Sequence, residues 1–215
     1  MNTTKKTTKM VIAAAFSAII IIMANVPFLG YIPLGVTRAT IIHVPVIIGA
    51  IVLGPVYGVF LGFVFGVTSL VANTFNPTIT SFVFSPFYSM GETEGNLLSL
   101  VICFVPRMLI GPAAYGVYRL VKRAGNRSLV PALGAAGIAG SLTNTVLVMN
   151  MIYFFFGKSY AAAKGISLTQ QGGTDALYGL IMGVIGVNGV PEAIVAAILT
   201  AAIARAMLHV VGKRL

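Results

Sequence analysis

Eight side chains in this chain have the chemistry to bind a small polar molecule, and they stand in a sequence that is otherwise largely apolar. They are cationic, imidazole, amide, acidic or aromatic: Arg38, His43, Phe82, Phe87, Arg107, Asn144, Asn188 and Glu192. Hydrophobic residues make up 58% of the chain and charged residues only 8%, whereas soluble domains carry about 25% charged residues. A charged group inside an apolar segment is costly, so each one is a hypothesis about function.

Four of these candidates come from the loops that we predict to be on the outer side, or from the start of the segment that follows. The guanidinium of Arg38 can hold a carboxylate or phosphate through paired donors, and the alternative is that it only reaches the outer interface. His43 lies deeper and either hydrogen-bonds a ligand or makes a helix–helix contact. Phe82 and Phe87 belong to a loop rich in Ser, Pro and Gly, where aromatic rings lie at the membrane interface or stack on a ligand.

Arg107 and Glu192 lie deep within apolar segments. Arg107 is too far from the end of its segment to reach water easily, so it needs an internal partner, either a ligand anion or Glu192. Asn188 and Glu192 are four positions apart and share one face of a helix. Pro191 between them removes a backbone hydrogen bond and frees a carbonyl group.

Two asparagines lie in the fifth apolar segment. Asn144 and Asn150 are about 120° apart around a helix axis, so one pocket receives only one of them. Asn144 is the better candidate because threonines flank it on both sides. The alternative for either residue is an interhelical hydrogen bond.

Apolar helices must position these side chains. About 20 helical residues cross the hydrocarbon of a bilayer, and the apolar runs lack the alternation of an outer-membrane barrel. We predict an all-α integral membrane protein with one domain, 1–215. Its six helices cover about 10–26, 39–52, 56–72, 97–118, 129–156 and 176–208. Helix four is interrupted at Pro106 and at Gly111-Pro112, Leu53-Gly54-Pro55 forms a short turn, and the apolar loop 27–35 folds back over the bundle.

The distribution of charge predicts the orientation. Most of the 14 Lys and Arg residues fall at the chain ends and in the connection between helices four and five. Positive residues collect on the cytoplasmic side of membrane proteins, so we predict that both termini are cytoplasmic. The formal charge of +10 therefore reflects topology and contact with lipid rather than binding to nucleic acid. The N-terminal segment is interpreted as an uncleaved first helix.

Other functional classes find little support in the sequence. One cysteine, Cys103, permits neither an intrachain disulfide nor a multi-cysteine metal site. We predict no catalytic residue, no resident metal and no cofactor, because His43 and His209 are far apart and no nucleophile or metal motif is present. A stand-alone channel or secondary carrier remains the alternative, although such proteins usually contain internal repeats.

At this point the sequence resembles the substrate-binding S components of energy-coupling factor (ECF) vitamin transporters over nearly its whole length. The resemblance rests on the six-helix layout, the plug-like first outer loop and the short LGP turn. It also rests on Ala14-x-x-x-Ala18 and on the NG-x-x-E segment 188–192. The blocks TRATIIHVPVIIGAIVLGP, SFVFSPF and SLTNTVLVMN look most like the pantothenate branch.

The resemblance implies a mechanism and partners. An S component in the cell membrane captures a vitamin in its outer half, docks through helix one on a transmembrane coupling protein (T component) with two ATPase subunits, and topples to deliver the vitamin inward. Ala14 and Ala18 would form the docking face. The sequence contains no G-x-x-x-x-G-K-[ST] phosphate loop, so ATP hydrolysis must come from partners. Pantothenate is the first expectation for the ligand, with riboflavin, pyridoxine or a cobalamin as alternatives.

Overall fold

Helices account for most of the computed structural model, which describes residues 3–26, 29–34, 37–90, 93–124, 128–165 and 173–211. The helices are α1 (Thr3–Asn25), α2 (His43–Leu53), α3 (Pro55–Phe75), α4 (Leu97–Arg123), α5 (Leu129–Ala163), α6 (Gly173–Val184) and α7 (Val190–Val211). A π-helical turn, Ile185–Gly189, joins α6 to α7, and a 3₁₀ turn covers Ser81–Val83. Two short antiparallel hairpins pair β1 (Tyr31–Leu34) with β2 (Thr37–Thr40), and β3 (Ser89–Met90) with β4 (Thr93–Glu94).

The prediction of a six-helix membrane bundle is confirmed. Among the described residues, five helical segments are long and apolar enough to cross a membrane, and α6, the π turn and α7 count together as one of them. The sixth, α2, has 11 residues and is therefore only about 16 Å long. An even number of crossings brings both chain termini to the same side.

The short helix α2 lies at the centre of the bundle. Residues 42–51 are all buried, and the helix packs against α1, α3, α4, α5 and α7. It ends at Gly54, whose φ of 111° is one that residues with a Cβ rarely adopt. Pro55 then begins α3, as the predicted short turn requires.

Helices α3 and α4 approach each other so closely that side chains are excluded between them. A Cβ atom on Gly58 would lie 2.9 Å from the Cα of Gly111, and one on Gly62 would collide with the carbonyl oxygen of Arg107. Glycine allows such backbone contact between membrane helices. The contact places the backbone of Arg107 at the level of Gly62 in α3.

The first and second helices begin elsewhere than predicted. Helix α1 already starts at Thr3 rather than near residue 10. Helix α2 starts at His43 rather than Ala39, because residues 37–40 pair with 31–34 in the hairpin. Their backbone groups find partners across the two strands, which removes the need for a helix there.

Helices α4 and α5 are longer than predicted. Helix α4 is continuous through Pro106 and Pro112, so the predicted interruption is wrong. Helix α5 was expected to end at Phe156, but it bends there (φ −129°, ψ 16°) and continues to Ala163. The interpretation of 157–175 as a loop is therefore wrong for 157–163, which belong to α5, and for 173–175, which belong to α6.

Candidate functional site

A cavity of about 800 Å³ lies where α1 and α3 end and where α7 begins. Its size falls within the range of about 300–1,000 Å³ that is typical of sites for small molecules. Polar residues from several elements line it: Asn25, Thr40, Ser69, Asn73, Asn76, Thr78, Thr80, Arg107, Asn144, Thr145, Tyr160, Lys164, Asn188 and Glu192. Apolar groups such as Phe65, Phe84 and Val148 fill the surface between them. The cavity thus combines hydrogen-bonding groups, two cations and one acid with apolar walls.

Arg107 is held in this cavity by a defect in its own helix. Pro106 has no backbone N–H, so the carbonyl group of Ile102 lacks its usual helical donor. The Nη1 of Arg107 donates to that oxygen at 2.6 Å. The guanidinium carbon also lies 4.9 Å from the ring centroid of Phe84 and 5.8 Å from that of Phe65. The side chain is therefore anchored on one side, while the residue still lines the cavity.

Glu192 lines the same cavity and is hydrogen-bonded to two other elements. Its Oε1 accepts a hydrogen bond from the backbone N–H of Thr40 at 2.6 Å, and its Oε2 accepts one from the Thr145 hydroxyl at 3.1 Å. Glu192 is only 6% exposed, and these two donors of the protein bond its carboxyl group.

Two buried amides complete the deeper part of the cavity. Asn144 lines it from α5, and no described residue bonds its buried Oδ1. Asn150 instead donates to the carbonyl oxygen of Val146 in its own helix, in agreement with the predicted angle between the two asparagines. Asn188 belongs to the π-helical turn, and such turns occur frequently at functional sites.

Four of the predicted residues line this cavity, namely Arg107, Asn144, Asn188 and Glu192. His43 is completely buried at the start of α2, and neither of its ring nitrogens has a hydrogen-bond partner in the described part of the chain. Phe82 is completely buried in a core cluster, 5.9 Å from the ring of Phe156, whereas Phe87 is exposed. Arg38 belongs to β2 opposite Pro33, and its side chain lies outside the described residues.

A hydrogen-bond network decides which aromatic ring of the loop after α3 reaches the cavity. The Ser81 hydroxyl donates to Oδ1 of Asn73 at 2.7 Å and accepts from the N–H of Thr78. This network fixes the 3₁₀ turn, so that Phe82 points into the core and Phe84 lies beside Arg107. Sequence reasoning named Phe82 and missed Phe84, because nothing in the spacing of the loop shows which ring is buried.

The outer end of α5 supplies two further cavity residues that sequence reasoning missed. Tyr160 and Lys164 line the cavity after the bend at Phe156. The Lys164 Nζ lies 5.8 Å from the Tyr160 ring centroid. Because 157–175 was expected to be a loop, neither residue was placed near Asn144. Lys164 is a second cation available to an anionic ligand.

The small residues Ala14 and Ala18 lie on the outer surface of α1. Both are exposed, whereas Ala13, Phe16 and Ile20 of the same helix are buried in the core. The exposed side also carries Val11 and Ile22. The two alanines therefore belong to the face of α1 that points away from the bundle.

Comparison with known proteins gives consistent matches. The profile of the family described as ECF transporter, substrate-specific component, matches residues 8–204. The chain is 41% identical over 171 residues to the pantothenic acid transporter PanT of Lactococcus lactis subsp. cremoris, covering 79% of this chain and 78% of that protein. It is 31% identical over 220 residues to the pantothenate transporter PanT of Leuconostoc mesenteroides subsp. mesenteroides, covering 97% and 96%.

Proposed function

The chain belongs to the substrate-specific components of ECF transporters, and from this premise we propose that it captures pantothenate in the cavity described above. It is a multi-pass membrane subunit for transport rather than a catalytic enzyme. Two relatives of high coverage bear the name of pantothenate transporters. One observation carries the proposal: a cavity of suitable size combines cations, amides and hydroxyls. The relatives add the name of the ligand.

The chemistry of pantothenate suits this lining. The vitamin has a carboxylate at one end, hydroxyl groups at the other and an amide between them. A carboxylate is held best by a charge-assisted hydrogen bond, which Arg107 or Lys164 would supply. Asn144 and Asn188 offer both amide donors and acceptors for the uncharged groups, and Phe84 offers an apolar surface.

Transport needs energy that this chain does not supply. Its sequence has no phosphate-binding loop for ATP, so we assign hydrolysis to two ATPase partners and coupling to a transmembrane T component. The exposed small face at Ala14 and Ala18 is the proposed contact with that T component. Small residues let another helix approach closely, which supports this assignment.

Isothermal titration of the purified chain against a panel of B vitamins tests the proposal. We expect saturable binding of pantothenate in the absence of ATP, and no comparable binding of riboflavin, pyridoxine or cobalamin. If another vitamin of the panel binds instead, that vitamin replaces pantothenate as the proposed substrate. Binding of none would remove the vitamin-capture function and favour a channel or carrier.

A matched pair of variants tests whether this cavity is the site. Asn144→Ala removes one hydrogen-bonding group from the lining, and a lost hydrogen bond costs about 1 kcal/mol, or roughly fivefold in Kd. Asn150→Ala makes the same change on the same helix at a residue that does not line the cavity. Asn144→Ala should weaken the binding of pantothenate, and Asn150→Ala should not. Equal affinities for both variants would move the site elsewhere.

A further inference from the structure

Both carboxylate oxygens of Glu192 are occupied by donors of the protein itself. Oε1 accepts from the backbone N–H of Thr40 and Oε2 from the hydroxyl of Thr145. An ionised carboxylate only accepts hydrogen bonds, so these two donors suit it. Its negative charge would also repel the carboxylate of an anionic ligand. Its negative charge therefore makes Glu192 a poor candidate for binding the carboxylate of an anionic vitamin.

Thr40, which donates one of these hydrogen bonds, belongs to the hairpin near the start of the chain, far in sequence from Glu192. Thr40 is the last residue of β2 and itself lines the cavity. The next residue, Ile41, donates its N–H to the carbonyl oxygen of Gly30 and so closes the base of the hairpin. Strand β2 packs against the π-helical turn and α7. The bond from Thr40 to Glu192 therefore joins the segment before α2 to the last span.

We propose that Glu192 is a positioning residue that holds the Thr40 wall of the cavity against α5 and α7. The inference rests on the proposed function only in taking this cavity as the vitamin site. Thr145 completes the attachment from α5, so a single carboxylate connects three elements around the cavity. Loss of the carboxylate should let the Thr40 segment separate from the helices and open the cavity more often.

Chemical labelling of the vitamin-free protein tests this directly. In a Cys103→Ser background, Met149→Cys places the single thiol in the cavity lining, and the chain is embedded in lipid nanodiscs. The rate of reaction with a membrane-impermeant maleimide then reports how often the cavity opens. We expect Glu192→Ala to raise this rate about tenfold, the effect of losing a hydrogen bond to a charged group on an opening equilibrium.

Three further variants guard against trivial results. Thr145→Val removes one donor with little change in shape and should raise the labelling rate about fivefold, as the loss of one hydrogen bond worth about 1 kcal/mol would. This variant still tests the proposal if Glu192→Ala does not fold. Glu192→Gln keeps an acceptor for Thr40 and should fall between the wild type and Glu192→Ala. Glu94→Ala removes an exposed acid of β4 and should leave the rate unchanged.

The kinetics of vitamin binding separate positioning from direct contact. A positioning role predicts that Glu192→Ala raises both the association and the dissociation rate, whereas loss of a ligand contact raises only the dissociation rate. Unchanged labelling in Glu192→Ala and Thr145→Val would overturn the proposal, whether or not binding is lost. Failure of the chain to bind pantothenate would leave the labelling results unaffected, so the two proposals fail separately.

Discussion

Replacing Arg107 by methionine removes a cation from the cavity and leaves an unbranched side chain of similar length. If the guanidinium holds the carboxylate of pantothenate, the loss of this charge-assisted hydrogen bond costs about 2 kcal/mol, or roughly 30-fold in Kd. Arg107 is 7% exposed, so water would not readily replace the lost contact. Titration calorimetry on the purified protein measures the change.

The raw loss of affinity would not identify the carboxylate as the partner of Arg107. The variant also removes the donor to the Ile102 carbonyl, so it should lower the melting temperature. The diagnostic quantity is therefore the change in Kd for pantothenate divided by the change in Kd for a ligand without the carboxylate. In the alcohol analogue of pantothenate a hydroxymethyl group replaces the carboxylate, so this ligand makes no charge-assisted contact with the wild-type protein. Arg107→Met should therefore change the Kd of the alcohol by less than about threefold.

Equal losses for the acid and the alcohol would refute the reasoning, because damage to the cavity affects both ligands alike. The same two ligands then serve to test Lys164→Met and Arg38→Met. If one of these variants shows the selective loss, the carboxylate lies at that cation instead. Arg107→Lys is the conservative comparison, since it keeps the charge but loses the planar group that lies against Phe84.

Two further predictions concern other parts of the bundle. Ala18→Trp places bulk on the exposed face of α1 and should abolish vitamin uptake in cells while leaving binding intact; Ala202→Trp, an exposed alanine of α7, should leave both intact. Loss of binding in Ala18→Trp would place that residue in the internal packing. Gly62→Ala forces a methyl group against the backbone of α4 and should destabilise the protein by about 1–3 kcal/mol, which thermal unfolding in detergent measures. Gly116→Ala, where a Cβ meets nothing within 4 Å, should be neutral or slightly stabilising, and equal melting temperatures for the two variants would contradict the close packing.

The helical layout could be predicted because apolar length is a strong signal in a membrane protein. Runs of about 20 apolar residues indicate spans, and Leu53-Gly54-Pro55 indicates a turn without any knowledge of packing. The first hairpin was not predicted, since its two strands, YIPL and TRAT, are only four residues long and show no regular alternation of polar and apolar residues. In the part of the chain that the structure describes, β1 and β2 form because they pair with each other, and pairing leaves little trace in composition.

The cavity could be predicted only where a residue type is improbable in its surroundings. Arg107, Asn144, Asn188 and Glu192 are polar residues in apolar helices, and all four line the cavity. Tyr160 and Lys164 were missed because they follow an unmarked bend in α5. Phe84 was missed because the choice among loop aromatics depends on hydrogen bonds to Ser81 that join residues from two elements.

A proline directly precedes both of the charged residues that line the cavity within predicted spans. Pro106 precedes Arg107 and Pro191 precedes Glu192. In α4 the physical reason is visible, because the carbonyl group that Pro106 leaves without a helical donor is the acceptor for Arg107. Before Glu192 the helix widens into the π turn that carries Asn188. In α4 the proline thus leaves an acceptor for a buried cation, whereas the carboxyl group of Glu192 needs donors and finds them in Thr40 and Thr145, outside its own helix.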